Sequence, residues 1–453
     1  MTAQTRIEHD SLGTVVLPAD ALWGAQTQRA IENFPVSGQP LPPLFIQALA
    51  RVKAACAQAN QALGLLSAEA CSAITAAAAE IQHGAHLDAF PIDVYQTGSG
   101  TSTNMNANEV IARLAAQRGV TVHPNDHVNM SQSSNDVIPT ALRVAAVEAV
   151  TGALIPAMDH IRAVLRVRAA ELATVTKTGR THLMDAMPIR FDQVLLTYEA
   201  QLTGAALSIA QATDRMRALP QGGTAVGTGI NAPAGFVDAF LQALNGDSGS
   251  YRAMPLPSVG MAAQDEPVAL SAALRGLAVV LMKLTNDLRL MNSGPLAGLS
   301  EISLPDLQPG SSIMPGKVNP VVPESVAMVA MQVQGLDTAI ALAGQSGLFE
   351  LNVALPLIAN NLLQSITLLS QALRLLADKA LAGFRVNQAN LAAALDKNPI
   401  LVTALNPVIG YELGAKIAKR AYAERRSVKE IAREMTDLDE TTLERLLNPA
   451  HLT

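Results

Sequence analysis

Six apolar side chains, Leu274, Leu277, Leu281, Leu284, Leu288 and Met291, recur at spacings of 3, 4, 3, 4 and 3. Leu362, Ile366, Leu369, Leu373 and Leu376 follow at 4, 3, 4 and 3. Spacings that alternate between three and four residues place all members on one stripe of an α-helix, which predicts seams between near-parallel packed helices. The same periodicity predicts long helices near 137–173, 193–218, 265–292, 320–345 and 356–384. Helices over 45–62 and 67–83 precede them, and short ones near 410–424 and 427–435 follow. Hydrophobic residues make up 49% of the chain and aromatics only 3%, so the helices must pack closely through small side chains. At 453 residues, and with roughly 150 per domain as a guide, two or three domains are expected. Short strands are expected around Thr14 to Leu17, and the single tryptophan, Trp23, reads as a packing anchor.

The net charge is −6 with no basic run, so neither nucleic acid nor an anionic membrane surface is an expected partner. Any anionic substrate must then be held by local donors. No uninterrupted apolar run approaches the roughly 20 residues of a membrane span, and the first residues lack the basic-then-apolar pattern of a signal peptide. Cys56 and Cys71 are too few for a disulfide framework or a thiolate metal site. The expectation is a soluble, cytoplasmic protein.

Two glycines and three prolines break the chain at Pro309 to Pro320 between long helical stretches, which makes this segment a loop on rigid supports. It carries two hydroxyls (Ser311, Ser312), one ammonium (Lys317) and one amide (Asn319), a set suited to holding an anion and moving a proton. Two more polar turns run into helices. In the first, Gln96 to Glu109, seven Ser, Thr and Asn residues lie between Ser99 and Asn108, more than capping alone requires. The second, His123 to Asp136, ends in the donor cluster Ser133-Ser134-Asn135. His123, Asp126 and His127 invite a metal reading, yet Pro124 denies the helical register that would align the two imidazoles and no third histidine is near. A bend at Gly179 to Pro188 presents Thr181 and His182. Gly222 to Gly229 lacks the lysine and the preceding strand of a phosphate-binding loop and reads as a backbone-donor loop. No metal-ligand cluster or nucleotide motif emerges, so no cofactor is expected.

The segment Gly310-Ser311-Ser312-Ile313-Met314-Pro315-Gly316-Lys317-Val318-Asn319-Pro320 closely resembles the hallmark of the fumarase/aspartase superfamily. Gly98 to Asn106, His123 to Asp126, Ser133 to Asp136 and Gly179 to His182 are similar to its other blocks, in the same order, so the resemblance spans essentially the whole chain. It implies a mainly α, three-domain subunit, divided here at 1–131, 132–388 and 389–453. The central five-helix bundle of such subunits builds a twenty-helix core in a homotetramer whose active sites each draw on three subunits. The implied reaction is reversible addition to, or elimination forming, a fumarate-type dicarboxylate through an aci-carboxylate. By resemblance Ser311 is the general base, activated as the alkoxide by Lys317 and backbone N–H groups, and Lys317 and Asn319 bind the carboxylate whose charge grows. Ser99, Gly100, Thr101, Ser133, Ser134, Asn135, Thr181 and Ser312 hold the dicarboxylate. His182 pairs with Glu324 to orient substrate or water. His123, Pro124, Asn125 and Asp126 resemble a second, non-catalytic dicarboxylate site.

The resemblance implies water as the adding group, giving (S)-malate from fumarate, because the segments at the expected substrate turns are the fumarase-like ones; ammonia, with aspartate as the substrate, is the alternative. Gln96 to Gly100, Ser133 to Asp136, Trp23 to Ala30 and Phe349 to Val353 look like the class II fumarase branch. Leu304 to Gln308 and Pro320 to Glu324 look like aspartase. Met184 stands where a Gln is usual, and Phe191-Asp192-Gln193 where Leu-Gly-Gln is usual, which leaves a substituted fumarate as a third reading. A purely structural helical oligomer would explain the seams but not Ser311, Lys317 and His182 together.

Overall fold

Residues 4–246 and 249–453 are described by the computed structural model. A hairpin of β1 (Thr5–Asp10) and β2 (Gly13–Pro18) leads into α1 (Ala25–Asn33), α2 (Pro43–Ala62), α3 (Ala68–Gln82) and α4 (Thr101–Gln117). Then α5 (Ser134–Ala149) passes through a π-helical turn, Val150–Leu154, into α6 (Ile155–Glu171). The expected helix over 137–173 is therefore one run with an interruption at Val150, Thr151 and Gly152, poor helix formers in succession. The expected bend at 179–188 is instead part of a second hairpin, β3 (Thr176–Thr181) with β4 (Met184–Arg190), in which Thr181 opposes Met184. There follow α7 (Phe191–Met216), α8 (Phe236–Asn245), α9 (Pro257–Ala262), α10 (Asp265–Met291), α11 (Val321–Gly344) and α12 (Leu355–Leu376).

The chain forms two compact units, the first made of residues up to Pro156, Leu207–Ala278 and Met331–Ser370. Its centre is α2, whose Phe45, Leu49, Val52 and Cys56 are fully buried and which packs on α3, α5 and α8. Ser271 on α10 donates to Asp337 on α11 at 2.6 Å, and Arg275 reaches the same carboxylate at 2.8 Å, fixing the rotation of those helices. Arg143, fully buried on α5, binds Glu266 at 2.7 Å.

The second unit comprises Ala157–Ala206, Val279–Ala330 and Gln371–Thr453. Here Tyr198 on α7 donates to Asp287 on α10 at 2.6 Å. Phe191 and Phe384 pack 6.0 Å apart with the Arg168 guanidinium 4.5 Å above Phe384. The C-terminal residues close a separate small core around Leu405, Ile417, Ile431 and Leu443.

Every residue of the two predicted seams is buried within the single chain. Other apolar side chains on the long helices are left in solvent, among them Leu207 on α7, Val279 on α10, and Met328, Met331 and Leu342 on α11. By length and composition three helical stretches, Ser134–Glu171, Asp265–Met291 and Val321–Gly344, are apolar enough to cross a membrane. The expectation of no such segment is corrected: alanine and glycine between the larger apolar residues keep whole helices nearly uncharged without any long uninterrupted run.

Candidate active site

In the first unit the two polar turns meet at the N-termini of α4 and α5. Ser99 Oγ lies 2.9 Å from Thr101 Oγ1, which lies 2.8 Å from Ser134 Oγ, so three hydroxyls form one hydrogen-bonded row. Gly100, in the left-handed region at φ 75°, caps α4 without a side chain. Ser133 caps α5: its Oγ accepts from Asn135 N at 3.2 Å while its own N–H donates to Asp136 at 2.9 Å. Helix N-termini carry unpaired N–H groups and partial positive charge, which suits this pair of turns to a carboxylate. Gly98 admits no side chain, because a Cβ there would lie 1.8 Å from the Val353 carbonyl oxygen. Of the seven polar residues between Ser99 and Asn108, several are internal ties. Thr103 binds Gln96, Asn106 binds the Ala89 carbonyl, and Asn104 and Asn108 donate to Asn129 Oδ1 at 3.1 and 3.2 Å.

Asp136 anchors the Ser133 turn from inside, a role that the sequence reading passed over. Fully buried, it accepts from Gln221 Nε2 at 3.1 Å and from the backbone N–H groups of Gly222 and Thr224, each at 2.9 Å. The Gly222 to Gly229 loop is a backbone-donor loop as expected, but these donors serve Asp136, and Asn135 Nδ2 ties on to the Ala225 carbonyl at 2.9 Å. Burial pushes the Asp136 carboxyl up to about 6, against the pull of its N–H donors. The signal was the Ser133-x-x-Asp136 capping pattern.

The segment 309–320 is an irregular loop in the second unit. Gly310 N–H donates to the Lys317 carbonyl at 2.8 Å, Asn319 Nδ2 donates to the Gly310 carbonyl at 2.8 Å, and a Cβ on Gly310 would lie 2.6 Å from Lys317 O. The glycine thus permits the loop to close on itself. Ser311 Oγ accepts from the backbone N–H of Ile313 at 3.2 Å and of Met314 at 3.1 Å, an arrangement that favours negative charge on this oxygen. Ser312 and Lys317 are exposed.

The β3–β4 turn presents His182 with φ 54° and Leu183 with φ 62°, both left-handed and neither Gly nor Asn. A two-residue turn of this type matches strand twist but normally selects Asn-Gly, so the histidine is held in a costly conformation of the kind that clusters at functional sites. Thr181 and His182 are exposed, and Glu324 sits in the first turn of α11. Within one chain His182 and Glu324 share no hydrogen bond or ion pair. A charged triad missed in the sequence anchors the hairpin: Glu301, nearly buried, meets Lys177 at 2.8 Å and also pairs with Arg180.

Residues Pro124–Val128 make one π-helical turn with Pro124 in its first position. Pro124 starts the turn, where its missing N–H would be unpaired anyway, and His123 stays outside it with extended backbone, so the two imidazoles do not share a helical register. His123 is the cap, accepting at Nδ1 from Asn125 N and Asp126 N at 3.3 and 3.2 Å, and its N–H donates to His127 Nδ1 at 2.8 Å. His123, Pro124 and Asn125 line a cavity of about 540 Å³ with Arg6, Trp23 and Arg113, and Asp126 is outside that lining. Among the described residues no group of three or more His, Cys, Asp or Glu is placed to hold a metal ion.

Two family models match the chain, one described as a lyase over residues 13–335 and one as a fumarase C C-terminus over residues 401–453. Class II fumarate hydratase of Xylella fastidiosa is 56% identical over 451 residues, covering 99% of this chain and 95% of that protein. A class II fumarate hydratase of Pseudomonas aeruginosa is 55% identical, with 99% and 98% covered. Among solved structures, class II fumarase from Schistosoma mansoni superimposes with a TM-score of 0.95 at 37% identity, 99% of each chain being covered. A fumarate lyase:delta crystallin from Brucella melitensis gives 0.94 at 42% identity, again over 99% of each.

Proposed function

The chain belongs to the fumarase/aspartase superfamily of lyases, and on that footing we propose how its turns carry out the reaction of the class II fumarate hydratases it resembles. It is a lyase that adds water to fumarate. The aspartase-like segments at Leu304 to Gln308 and Pro320 to Glu324 do not outweigh near-full-length similarity to hydratases. In the malate-forming sense water adds across the double bond; in reverse, Ser311 Oγ removes the proton beside one carboxylate, and hydroxide leaves from the neighbouring carbon, taking a proton through His182. The single observation that carries the base assignment is the pair of backbone N–H groups directed at Ser311 Oγ. They and the Lys317 ammonium would hold the alkoxide, while Lys317 and Asn319 would stabilise the aci-carboxylate, where one preorganised donor contributes about 3–4 kcal/mol. Thr101, Ser134 and Asn135 at the two helix N-termini would take the other carboxylate, aided by Ser99, Gly100, Ser133, Thr181 and Ser312.

A homotetramer with sites shared among three subunits accounts for two observations. His182 and Glu324 have no mutual contact in one chain, and Met328, Met331 and Leu342 of α11 are left in solvent. The three-segment division at 131 and 388 and a cytoplasmic location complete the reading, the latter supported by two free, buried cysteines. The His123 to Asp126 turn would be the second dicarboxylate site. The test is ultraviolet absorbance of the fumarate double bond with water alone, with ammonium, and starting from malate or aspartate, each with and without a chelator. No absorbance change with water alone or from malate, beside a fall with fumarate plus ammonium and a rise from aspartate, would make the chain an ammonia-lyase instead.

A further inference from the structure

Lys53 takes no part in the reaction as read above, yet it is completely buried in the middle of α2. Its Nζ donates to Asn129 Oδ1 and to Gln132 Oε1, each at 2.9 Å. Both acceptors are neutral amides in the four residues that precede the Ser133 cap of α5. Asn129 Oδ1 also receives Asn104 Nδ2 and Asn108 Nδ2 from α4, so one oxygen collects donors from α2 and from two turns of α4. Asn129 Nδ2 in turn donates to the Gln132 carbonyl at 3.3 Å, and Gln132 Nε2 donates to the Val128 and Met130 carbonyls, each at 3.0 Å. The loop 128–132 is thereby fixed from inside, and α4 and α5 meet through Thr101 and Ser134.

We infer that Lys53 is a positioning residue for dicarboxylate binding, which holds the Asn129 to Gln132 loop so that the hydroxyl row of Ser99, Thr101 and Ser134 stays in register across two helix N-termini. This rests on the reading of those turns as the substrate site. A lysine is favoured there because an amine at the end of a long stem reaches two amide oxygens at once from the helix axis. A thioether has no N–H to give to either acceptor. Burial lowers its ammonium to about 7, and a neutral amine keeps two N–H groups, enough for both acceptors. Lys53 contacts none of Ser311, Lys317 or His182, so its loss should act on binding rather than on proton transfer.

The experiment compares wild type with Lys53→Met, Asn129→Leu and the double variant, reading KM and kcat for fumarate, the Kd of succinate as a non-reacting dicarboxylate, and the melting temperature. Each single variant is expected to raise KM and the succinate Kd by about tenfold with kcat within about threefold, and the double variant to be no worse than either single, because both break one contact. Asn129→Leu keeps the question answerable if Lys53→Met does not fold. A fall in melting temperature with unchanged KM and Kd, or a fall in kcat alone, overturns the proposal. Wild type that binds succinate without hydrating fumarate overturns the hydratase reading and leaves this one standing, and wild type that binds neither overturns both.

Discussion

Ser311 and Lys317 sit six residues apart in one loop, yet their chemistry separates them. The Ser311 hydroxyl accepts two backbone N–H bonds and is expected to contact substrate only at the proton it removes, whereas the Lys317 ammonium would oppose the carboxylate charge throughout. Ser311→Ala is therefore expected to lower kcat by a hundredfold or more, roughly the scale of general-base catalysis, with succinate Kd nearly unchanged. Lys317→Ala should lower kcat and weaken succinate binding together, because it supports ground state and transition state alike. Single-turnover rates and equilibrium binding on the two variants check this. Ser311→Ala that keeps more than a few per cent of turnover beside an inactive His182→Ala would transfer the base to His182. The motif made Ser311, Lys317 and Asn319 legible, since the loop's Gly and Pro content and its polar set stand together between Pro309 and Pro320. What the sequence did not yield is the left-handed turn under His182, because its conformation is imposed by hairpin register and by the Glu301 anchor rather than by a turn-forming residue.

At the scale of elements, α2 shows why part of the site was hidden. Lys53 lies on the apolar stripe of Leu49, Val52 and Cys56, where a lysine in sequence is usually read as a solvated side chain, and only the packing of α4 and the 128–132 loop reveals its acceptors. Its burial also has a consequence for stability. The unfolded lysine titrates near 10.4, roughly its reference value, and the native one at about 7. Between those values the unfolded chain binds a proton that the native chain has released, so stability should rise with pH across that window. Denaturant midpoints at the two ends of the window should therefore separate wild type from Lys53→Met in favour of wild type as pH rises, and equal pH slopes would refute it. A second element-scale test is Gly98→Ala. Its Cβ would meet the Val353 carbonyl, and the Leu355 N–H bond to Gly98 O at 3.0 Å would have to give, shifting the start of α4. Higher KM for fumarate and a lower melting temperature are expected, and unchanged values of both would show that the segment accommodates the methyl group freely. The seams of α10 and α12 were read correctly as helical because period is a property of sequence. The stripes close within the chain, while other apolar residues on the long helices remain exposed.

For the whole molecule the question is what covers Met328, Met331 and Leu342 on α11, Val279 on α10 and Leu207 on α7. Exposed apolar residues along helices that already bury their seams fit association with further copies, and a closed homotetramer would bury them without leaving an open edge. If each active site joins the Ser99, Thr101 and Ser134 row of one subunit to the Ser311 loop of another, a variant lacking one part and a variant lacking the other should repair each other when mixed. Ser311→Ala and Thr101→Val, each expected to be severely impaired alone, would be coexpressed with different affinity tags and the doubly tagged tetramers isolated. Random assembly then gives each site both intact parts with a chance of about one in four, so about a quarter of wild-type activity should return. If every site were built within one subunit, no mixed tetramer could contain an intact site, and activity would stay at the level of the two parents. Ser311 and Thr101 lie in different compact units of the chain, so the two substitutions are made in separately packed parts, and the activity recovered on mixing measures site sharing.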